Sequence, residues 1–428
     1  MITGIGLENI KSFKEKQVIE LAPFTLLIGD NGSGKSSFIQ ILSLLVQNPP
    51  SMSLADGQFV NQGGFEQLAN DQEKPLKIHF TGKISLDAEG YNYLNDLVYN
   101  LELNYDDGSN NRPILSRWKI ESEDPNNLLK SKLGVEDKTF LETNWNRNVS
   151  TNQSMHFYDE IDDISFEAYI PVHLYNFTIQ SWSTKINEVQ KRRATSLMAN
   201  LSTKILSDFD NVSYVPALRG IDTRFQRLVE QIPDHPLNPN NFNTQSNLLA
   251  SSLAYNRDLE NKISSLMEAI LNRKCRSRLQ QGILVSVETF NGERWVNIMN
   301  EGFGANPLVH LVYQIVASPK NSIILIEEPE IHLFPAAQKR LIVELIKFAK
   351  SENKHLLITT HSPHIYSVLS QFKEMHEKEV KAYFFKRDSN TFASVVEEIT
   401  AMNREGILKD FLALDLGGVA TILEAAGI

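Results

Sequence analysis

The sequence has 428 residues, which is enough for two lobes or for one domain with a large insertion. Its hydrophobic content of 42% and charged content of 22% are ordinary for a globular protein, and its net charge of -10 excludes a general electrostatic attraction to nucleic acid or anionic lipid. The one cysteine, Cys275, excludes an internal disulfide and a cysteine-rich zinc site, and it suits a reducing cytoplasm. The N-terminus has no secretory pattern, and no apolar run approaches the roughly 20 residues that cross a bilayer, so we expect a cytoplasmic protein without membrane contact.

A phosphate-binding loop follows the first predicted strands. Residues 2–28 predict three short strands, and the last of them, residues 24–28, is an apolar run. Gly-Asp-Asn-Gly-Ser-Gly-Lys-Ser at residues 29–36 then fits the P-loop pattern G-x-x-x-x-G-K-[ST]. Apolar residues recur at helical spacing over residues 38–45, so a strand enters the loop and a helix leaves it. This context disfavours the alternative, a glycine-rich turn that matches by chance.

The residue types in this loop predict a site for a nucleotide triphosphate. Its glycines permit backbone conformations in which successive N–H groups turn towards a phosphate, and the helix N-terminus attracts the same anion. Lys35 is expected to reach the β- and γ-phosphates of ATP, and the hydroxyl of Ser36 is expected to ligate Mg²⁺. The predicted nucleotide-binding residues are Asn31, Gly32, Ser33, Gly34, Lys35, Ser36 and Ser37.

The middle of the chain predicts mixed structure without a recognisable motif. Residues 51–75 are polar and predict a loop, and strands are predicted at residues 76–86 and 96–105. Residues 106–180 alternate short apolar runs with polar turns, which predicts a β-rich insertion. Helical patterns follow at residues 179–209 and 248–279, and a strand and turn lie between them at residues 214–220. The two helical arms could pack antiparallel as a short stalk or lid.

The C-terminal third predicts a return to α/β alternation. Residues 283–289 and 295–299 predict a hairpin around Asn291-Gly292. The elements predicted after it are a helix at 306–317, a strand at 322–326, a helix at 335–351 and a strand at 355–359. A strand, helix and strand at this spacing predict a right-handed parallel crossover.

Two carboxylates follow the apolar strand at residues 322–326. A P-loop hydrolyses ATP only with a metal carboxylate and a group that activates water. We expect Glu327 to hold Mg²⁺ through water and Glu328 to act as the catalytic base. The alternative is a pair of solvated glutamates at a strand end, which the preceding P-loop and the turn at Pro329 disfavour.

Two further segments point to the same phosphate chemistry. Gly302 and Gly304 leave backbone N–H groups bare at a helix start, which predicts a second anion site, although a plain loop-to-helix turn is an equal alternative. If the two anion sites lie at opposite edges of the fold, the second would serve the γ-phosphate of a neighbouring subunit. His361 follows the strand at 355–359 and could hydrogen-bond the γ-phosphate or the attacking water.

Basic residues elsewhere give weaker indications. The cluster at residues 273–278 could contact DNA phosphates, but a solvated helix end is the favoured interpretation. Arg219, Arg224 and Arg227 could sense phosphate or contact a partner, with salt bridges inside the chain as the default.

These segments together resemble the ATP-binding-cassette head class of ATPases that includes the SMC, RecF and overcoming-lysogenization-defect (OLD-like) proteins. Leu-Glu-Asn-Ile-Lys-Ser-Phe at residues 7–13 is similar to the opening strand of that class. Glu-Glu-Pro-Glu-Ile-His-Leu-Phe-Pro at residues 327–335 is similar to the Walker B and D-loop run of the OLD-like branch, and Thr-His-Ser-Pro at residues 360–363 to its switch-histidine motif. The resemblance covers residues 1–90 and 280–385.

The resemblance implies an α/β fold, namely a P-loop NTPase of the ABC-ATPase head type with a β-rich and helical insertion between the two halves of the head. Residues 1–105 would form the N-terminal part of the head, and residues 281–428 would form its C-terminal part. Residues 106–280 would be the insertion, a candidate lid, stalk or partner-binding region.

The resemblance also implies a head-to-head homodimer, or a higher oligomer, with ATP between the P-loop of one subunit and the signature loop of the other. By position, Gly302 and Gly304 are the signature residues, but the serine of an LSGGQ-type signature is missing, which puts the turnover rate in doubt. A Q-loop glutamine is expected after the P-loop helix, and either Gln62 or Gln67 could be that residue.

We therefore expect a Mg²⁺-dependent ATPase that dimerises on ATP and controls a separate effector protein or DNA. Stand-alone ATPases of this kind resemble the ATPase partners of bacterial anti-phage defence modules. The stretch after His361 is too short for a Toprim nuclease, so we expect none in this chain. Two alternatives stay open: a nucleotide-gated scaffold with negligible turnover, which the degenerate signature favours, and a RecF-like DNA repair ATPase.

Overall fold

The protein contains both strands and helices in the computed structural model, which describes residues 2–47, 54, 62–84, 97–108, 111–122, 139–145, 153–159, 164–169, 208–209, 211–230, 232, 245–280, 282–302, 304–375 and 377–400. The strands are β1 (Ile2–Glu8), β2 (Gln17–Glu20), β3 (Phe24–Gly29), β4 (Leu76–Ile84), β5 (Leu97–Asp107), β6 (Pro113–Ser122), β7 (Thr139–Trp145), β8 (Gln153–Asp159), β9 (Ile164–Tyr169), β10 (Val212–Val215), β11 (Gln226–Arg227), β12 (Lys274–Gln280), β13 (Leu284–Phe290), β14 (Trp295–Asn297), β15 (Ile323–Glu327), β16 (His355–Thr359), β17 (Val380–Arg387) and β18 (Ser394–Glu398). The helices are α1 (Lys35–Gln47), α2 (Phe65–Leu68), α3 (Gln245–Tyr255), α4 (Arg257–Leu271), α5 (Ala305–Ala317), α6 (Pro335–Ser351) and α7 (Pro363–Met375).

The first of two compact units is built on an antiparallel sheet. It comprises Met1–Leu21, Leu44–Asp210 and Asp388–Val395. Its strand order is β2-β1-β4-β5-β6-β7-β8-β9, and neighbouring strands pair antiparallel throughout. Tyr99, Leu101 and Leu103 of β5 are buried, whereas Val98 and Asn100 are exposed and Glu102 is half-buried, as expected for a sheet with one covered face.

Strands β6 to β9 confirm the β-rich structure predicted within residues 106–180. The helix predicted over residues 179–209 lies outside the described residues apart from 208–209.

The second unit contains a parallel sheet. It comprises Ala22–Ser43, Asn211–Arg387 and Val396–Ile428. The sheet has the order β10-β15-β16-β3-β17-β18, and the pairs from β10 to β17 are parallel. Every residue of β3 and β15 is buried, which is typical of central strands with both faces covered. The parallel neighbours β15 and β16 flank α6 in sequence, so the predicted parallel crossover is confirmed.

A smaller sheet, β11-β13-β12 with β14 on β13, also belongs to the second unit. The antiparallel pairing of β13 with β14 confirms the predicted hairpin. The helix predicted over residues 248–279 is wrong after Leu271: Asn272 adopts a left-handed conformation with φ 55° that closes α4, and β12 then pairs with β13 along its whole length. The basic cluster at residues 273–278 therefore lies on a strand, not at a helix end, and Arg276 pairs with Glu288 at 2.7 Å.

The helices of the second unit follow the apolar periodicity of the sequence. Helix α5 buries nine of its residues, and it contributes more than any other described helix to the core that also contains β3, β15 and β16. Pro335 occupies the first turn of α6, where its missing N–H costs no hydrogen bond. No helix in the described part of the chain is both long and apolar enough to cross a bilayer.

Candidate nucleotide and catalytic site

The carboxyl ends of neighbouring parallel strands bring the predicted site residues to one edge of the sheet. β3 leads into the P-loop, β16 is its neighbour, and β15 lies beyond β16. The register pairs Glu327 with Thr359 and Thr359 with Leu27, so the segments that follow these strands leave the sheet at the same level. In open α/β sheets this edge is where ligands bind. The P-loop, the two glutamates and His361 are therefore brought together by strand order.

The P-loop backbone has the conformation that its glycines permit. Gly29, Gly32 and Gly34 have φ values of 141°, 73° and 107°. At Gly29 a Cβ atom would also run into the carbonyl group of Phe385 on β17, so only glycine fits between the two strands. α1 begins directly after the loop, at Lys35. The predicted sequence of strand, loop and helix is confirmed.

The loop is exposed at its tip and buried at its base. Among the predicted nucleotide-binding residues, Asn31 and Gly32 at the tip are exposed. Ser33, Gly34 and Lys35 at the base are buried, and Ser36 and Ser37 in the first turn of α1 are half-buried. Arg387, at the end of β17, donates from Nε to the carbonyl oxygen of Gly32 at 2.7 Å. This contact braces the tip of the loop.

The lysine of the loop is held by backbone carbonyl groups. Lys35 Nζ donates to the carbonyl oxygens of Gly29 at 2.8 Å and Asp30 at 2.7 Å. Burial lowers the pKa of Lys35 to about 8, and the carboxylates of Glu328, Asp30 and Glu330 oppose that shift. A phosphate in the loop would add full negative charges beside this ammonium group, which favours its charged form.

Glu327 is the more buried of the two glutamates after β15. It is 5% exposed, and its side chain accepts hydrogen bonds from the side chains of Tyr214 and Gln40 and from the backbone of Ala217. Burial raises the pKa of Glu327 to about 7, the nearby charge of Glu328 adds to the rise, and the three hydrogen bonds oppose it. A cation beside this carboxylate would offset the cost of burying its charge.

The oxygen donors at this position fit Mg²⁺. Oε1 of Glu327 is buried and lacks a hydrogen-bond partner among the described residues, which is the kind of atom that a cation satisfies. Ser36 and Gln40 are four residues apart and lie on one face of α1, and Gln40 contacts Glu327. Hydroxyl and carboxylate oxygens are the ligands that Mg²⁺ prefers. Ser36 and Glu327 are thus a suitable pair of donors.

Glu328 and His361 face each other at the same edge. Glu328 leaves the sheet in a left-handed conformation with φ 42°, and its N–H donates to the carbonyl oxygen of Thr359 at 3.0 Å. Its Oε1 lies 3.8 Å from Nε2 of His361, and both side chains are about one-third exposed. Burial and the charge of Lys35 lower the pKa of His361, while Glu328 and Asp30 oppose the shift. Lys35, Glu328 and His361 therefore form one electrostatic cluster.

The peptide that carries His361 is held by a glutamate. Oε1 of Glu330 accepts from the hydroxyl group of Thr360 at 2.6 Å and from the N–H of His361 at 2.8 Å. The next residue, Ser362, donates from its hydroxyl group to Oε1 of Gln338 at 2.6 Å and caps the start of α7. The histidine is thus anchored from α6 and from the turn after β15.

The two predicted signature glycines precede α5. Gly302 is exposed and has open space among the described residues where a Cβ atom would be. A Cβ atom on Gly304 would lie 2.9 Å from the carbonyl oxygen of His332, so Gly304 packs closely against the turn that follows Glu330. Their role towards the nucleotide of a neighbouring subunit stays a prediction.

The Q-loop residue also stays open. Gln62 and Gln67 both belong to the first unit. Gln67 is exposed on α2 and its side chain packs against Gly63, and Gln62 is half-buried.

Three residues near the site are absent from the sequence prediction. Gln40 has the best local signal, because it follows Ser36 at helical spacing on the P-loop helix. Tyr214 is the penultimate residue of β10, and only the pairing of β10 with β15 shows that it reaches Glu327. Arg387 has no local signal, because its contact with Gly32 depends on β17 lying beside β3.

Comparisons with known proteins bear on this site. Residues 1–366 match the family model AAA_15, described as an AAA ATPase domain. No curated protein matches the chain.

Heads of SMC proteins are among the solved structures that are similar to the chain. They include an Smc head bound to the C-winged helix domain of ScpA, with a TM-score of 0.45, 13% identity and coverage of 94% of this chain and 99% of that chain. The SMC head domain from Thermotoga maritima has a TM-score of 0.41, 11% identity and coverage of 94% and 99%. An Smc head with an extended coiled coil, bound to the C-terminal domain of ScpA and derived from Pyrococcus furiosus, has a TM-score of 0.43, 11% identity and coverage of 96% and 98%. Likenesses at this level say nothing about function.

Proposed function

We propose that this chain, which belongs to the AAA_15 family of AAA ATPase domains and is therefore an ATP-hydrolysing enzyme, depends on Mg²⁺ and acts in the cytoplasm. It dimerises on ATP and so controls a separate effector protein. The observation that supports the catalytic part is the cluster of Lys35, Glu328 and His361 at the carboxyl edge of the parallel sheet. A phosphate-binding group, a carboxylate and an imidazole are the parts that phosphoryl transfer to water requires.

The roles of these groups follow from their positions. The backbone N–H groups of the P-loop and the ammonium group of Lys35 hold the β- and γ-phosphates. Glu328 orients a water molecule and accepts its proton as the water oxygen attacks the γ-phosphorus and the bond to the β–γ bridging oxygen breaks. His361 donates a hydrogen bond to a γ-phosphate oxygen. Ser36 and Glu327 would hold Mg²⁺, which would supply positive charge against the negative charge that develops on the phosphate.

Dimerisation is proposed from the position of Gly302. The residue is exposed three positions before the first residue of α5, and a helix N-terminus attracts an anion. If a second copy of the chain supplies this loop to the γ-phosphate, each site is complete only in the dimer. ATP would then bind the closed dimer more tightly than the open subunits, which couples hydrolysis to a change of shape.

The effector is proposed from the sequence of the site. The runs at residues 327–335 and 360–363 resemble those of OLD-like ATPases, and the proposed setting is bacterial anti-phage defence. Copurification of the chain with the product of the neighbouring gene, in the presence and absence of ATP, tests this. The proposal is contradicted if the neighbouring gene product fails to copurify both with and without ATP and if a deletion strain keeps the phage sensitivity of its parent.

Glu328→Gln tests the catalytic assignment. The variant keeps the shape of the side chain but cannot accept a proton, so we expect ATP binding to persist and phosphate release to fall by about 100-fold or more. Glu344→Gln on α6 is a matched control that should keep the parent rate. If Glu328→Gln releases phosphate at the parent rate, Glu328 is not the base.

Complementation tests the shared site. Gly302→Glu adds a negative charge that would repel a partner's phosphate, and its Cβ atom would have no described residue other than its chain neighbours within 4 Å. Alone, it should bind ATP but not hydrolyse it, and Lys35→Ala alone should bind ATP about 100-fold more weakly and not hydrolyse it. Mixed together, the two variants should regain activity, because one of the two interfaces has an intact P-loop and an intact glycine loop. An inactive mixture, or an active Gly302→Glu protein, contradicts the dimer.

A further inference from the structure

Arg219 lies behind the two glutamates and is tied to both of their peptide groups. It follows β10, the strand beside β15. Its Nη1 donates to the carbonyl oxygens of Glu327 and Pro216, each at 2.9 Å, and its Nη2 donates to the carbonyl oxygen of Glu328 at 3.1 Å. The planar guanidinium group has several donors in a fixed arrangement, so one side chain can hold two successive carbonyl groups.

The backbone of Glu328 needs such support. Its φ of 42° lies in the left-handed region, which is unfavourable for residues with a Cβ atom and persists where the surroundings hold it. The N–H of Glu328 donates to Thr359 on β16, and its carbonyl oxygen accepts from Arg219. The residue is therefore held on both sides, once by the sheet and once by the guanidinium group.

The segment that carries Arg219 is itself anchored to the core. Asn306 on α5 accepts from the N–H of Ile221 at 2.7 Å and donates to its carbonyl oxygen at 2.8 Å. These two bonds fix the backbone two residues after Arg219. The anchor lies near the start of α5, a helix that is mostly buried.

The contacts of Arg219 argue against a direct role on the nucleotide or a partner. Its Nη1 and Nη2 donate to backbone carbonyl groups within the unit, and its Nε is buried without a partner among the described residues. The neighbouring Leu218, by contrast, is 89% exposed. Burial lowers the pKa of Arg219 to about 10, and the carboxylates of Glu330, Glu328 and Glu327 oppose that shift, so the side chain is positively charged at neutral pH. Electrostatic attraction to these carboxylates stabilises the guanidinium group in its observed position.

We propose that Arg219 is a positioning residue for hydrolysis, which holds the Glu327–Glu328 backbone so that the carboxylate of Glu328 faces His361 and the P-loop. The proposal rests on the proposed function of Glu328 as the base. A small misplacement of a catalytic group costs rate more than binding, because the group acts in the transition state. The loss of Arg219 should therefore lower kcat and leave the affinity for ATP nearly unchanged.

The test uses Arg219→Lys and Arg219→Ala, with Arg294→Ala as the matched control from the same unit. Arg294 is exposed in the turn between β13 and β14, and its backbone N–H donates to Asn291. Lysine keeps the charge but cannot hold two carbonyl groups in the guanidinium geometry. We expect kcat to fall by about 10- to 100-fold in Arg219→Ala and by less in Arg219→Lys, with ATP affinity within about 3-fold of the parent and Arg294→Ala like the parent.

A double variant separates positioning from general damage. If Arg219 acts through Glu328, Arg219→Lys should add no further loss of rate to Glu328→Gln, because the group that it positions is already inactive. Parent kcat in Arg219→Lys and Arg219→Ala, with Glu328→Gln inactive, overturns this proposal alone. A hydrolysing Glu328→Gln protein overturns the proposed function instead. Weakened ATP binding in Arg219→Lys, with unchanged kcat, would assign Arg219 to the nucleotide.

Discussion

The two large sheets use their charged residues in different ways. On the antiparallel sheet of the first unit, charges pair with one another across neighbouring strands: Glu8 lies 2.7 Å from Lys77 and 3.3 Å from His79, and His79 lies 3.7 Å from Glu102. In the parallel sheet of the second unit, β17 and β18 also pair Lys381 with Glu398 and Lys386 with Glu397. The glutamate of the central strand β15 differs, because Glu327 lies at the carboxyl end of that strand and keeps a buried oxygen without a partner among the described residues.

This difference shows at which positions of a sheet charged side chains are available to bind a ligand. Cross-strand neighbours on a sheet face stand about 5 Å apart and can satisfy each other, which stabilises the sheet. At the carboxyl ends of parallel strands the backbone turns away, and side chains from several strands point at a common space. Charged residues therefore stabilise a sheet where they pair across neighbouring strands, and they are available to a ligand where they lie at strand ends.

Lys35→Ala should give the largest effect. It removes charge-assisted hydrogen bonds to phosphate, each worth about 1.5–3 kcal/mol, so ATP should bind about 100-fold more weakly and hydrolysis should disappear. The matched change in the first unit, Lys77→Ala, removes a part-exposed ion pair and should leave ATP affinity unchanged while lowering stability by about 1 kcal/mol or less. Titration with a fluorescent ATP analogue and urea unfolding of both variants check this. Similar losses of affinity in the two would break the comparison.

Glu330→Ala should give an intermediate effect. The N–H of His361 and the hydroxyl group of Thr360 lose their acceptor, so His361 should drift and kcat should fall by about 10- to 100-fold. Glu330→Gln keeps an acceptor oxygen and should lose less. Steady-state phosphate release measures kcat for both Glu330 variants. Glu8→Gln in the first unit is the control, and it should keep the parent kcat. A Glu330→Ala enzyme with the parent kcat would show that His361 needs no anchor.

His79 should give the smallest effect, and only on stability. Burial lowers its pKa from the ordinary value of 6.5, Lys16 adds to the shift, and Glu102 and Glu8 oppose it. Below pH 6.5 the unfolded chain therefore binds the proton more readily than the folded chain, and this group's contribution to the free energy of unfolding falls as the pH drops. Urea unfolding at several pH values between 5.5 and 8 should show a shallower pH dependence for His79→Gln than for the parent. Equal slopes would contradict the assignment.

Local patterns in the sequence predicted much of this site. The strand, loop and helix around the P-loop are confirmed, as are β15, α6 and β16, because apolar runs and glycine spacing are properties of short segments. The prediction was wrong where an equally short pattern was overruled from a distance. Residues after Leu271 could continue a helix, but the ladder with β13 and the left-handed Asn272 make them a strand.

The sequence by itself determined which groups can handle a phosphate: a glycine loop with Lys35, two glutamates after an apolar strand and a histidine after the next. Only the tertiary structure decided which residues contact these groups. Tyr214 and Gln40 contact Glu327, Arg219 binds the backbone of both glutamates, and Glu330 holds the peptide of His361. The physical reason is that strand order in a parallel sheet is not sequence order. β10 and β15 are more than 100 residues apart, yet hydrogen bonds between them set which side chains meet.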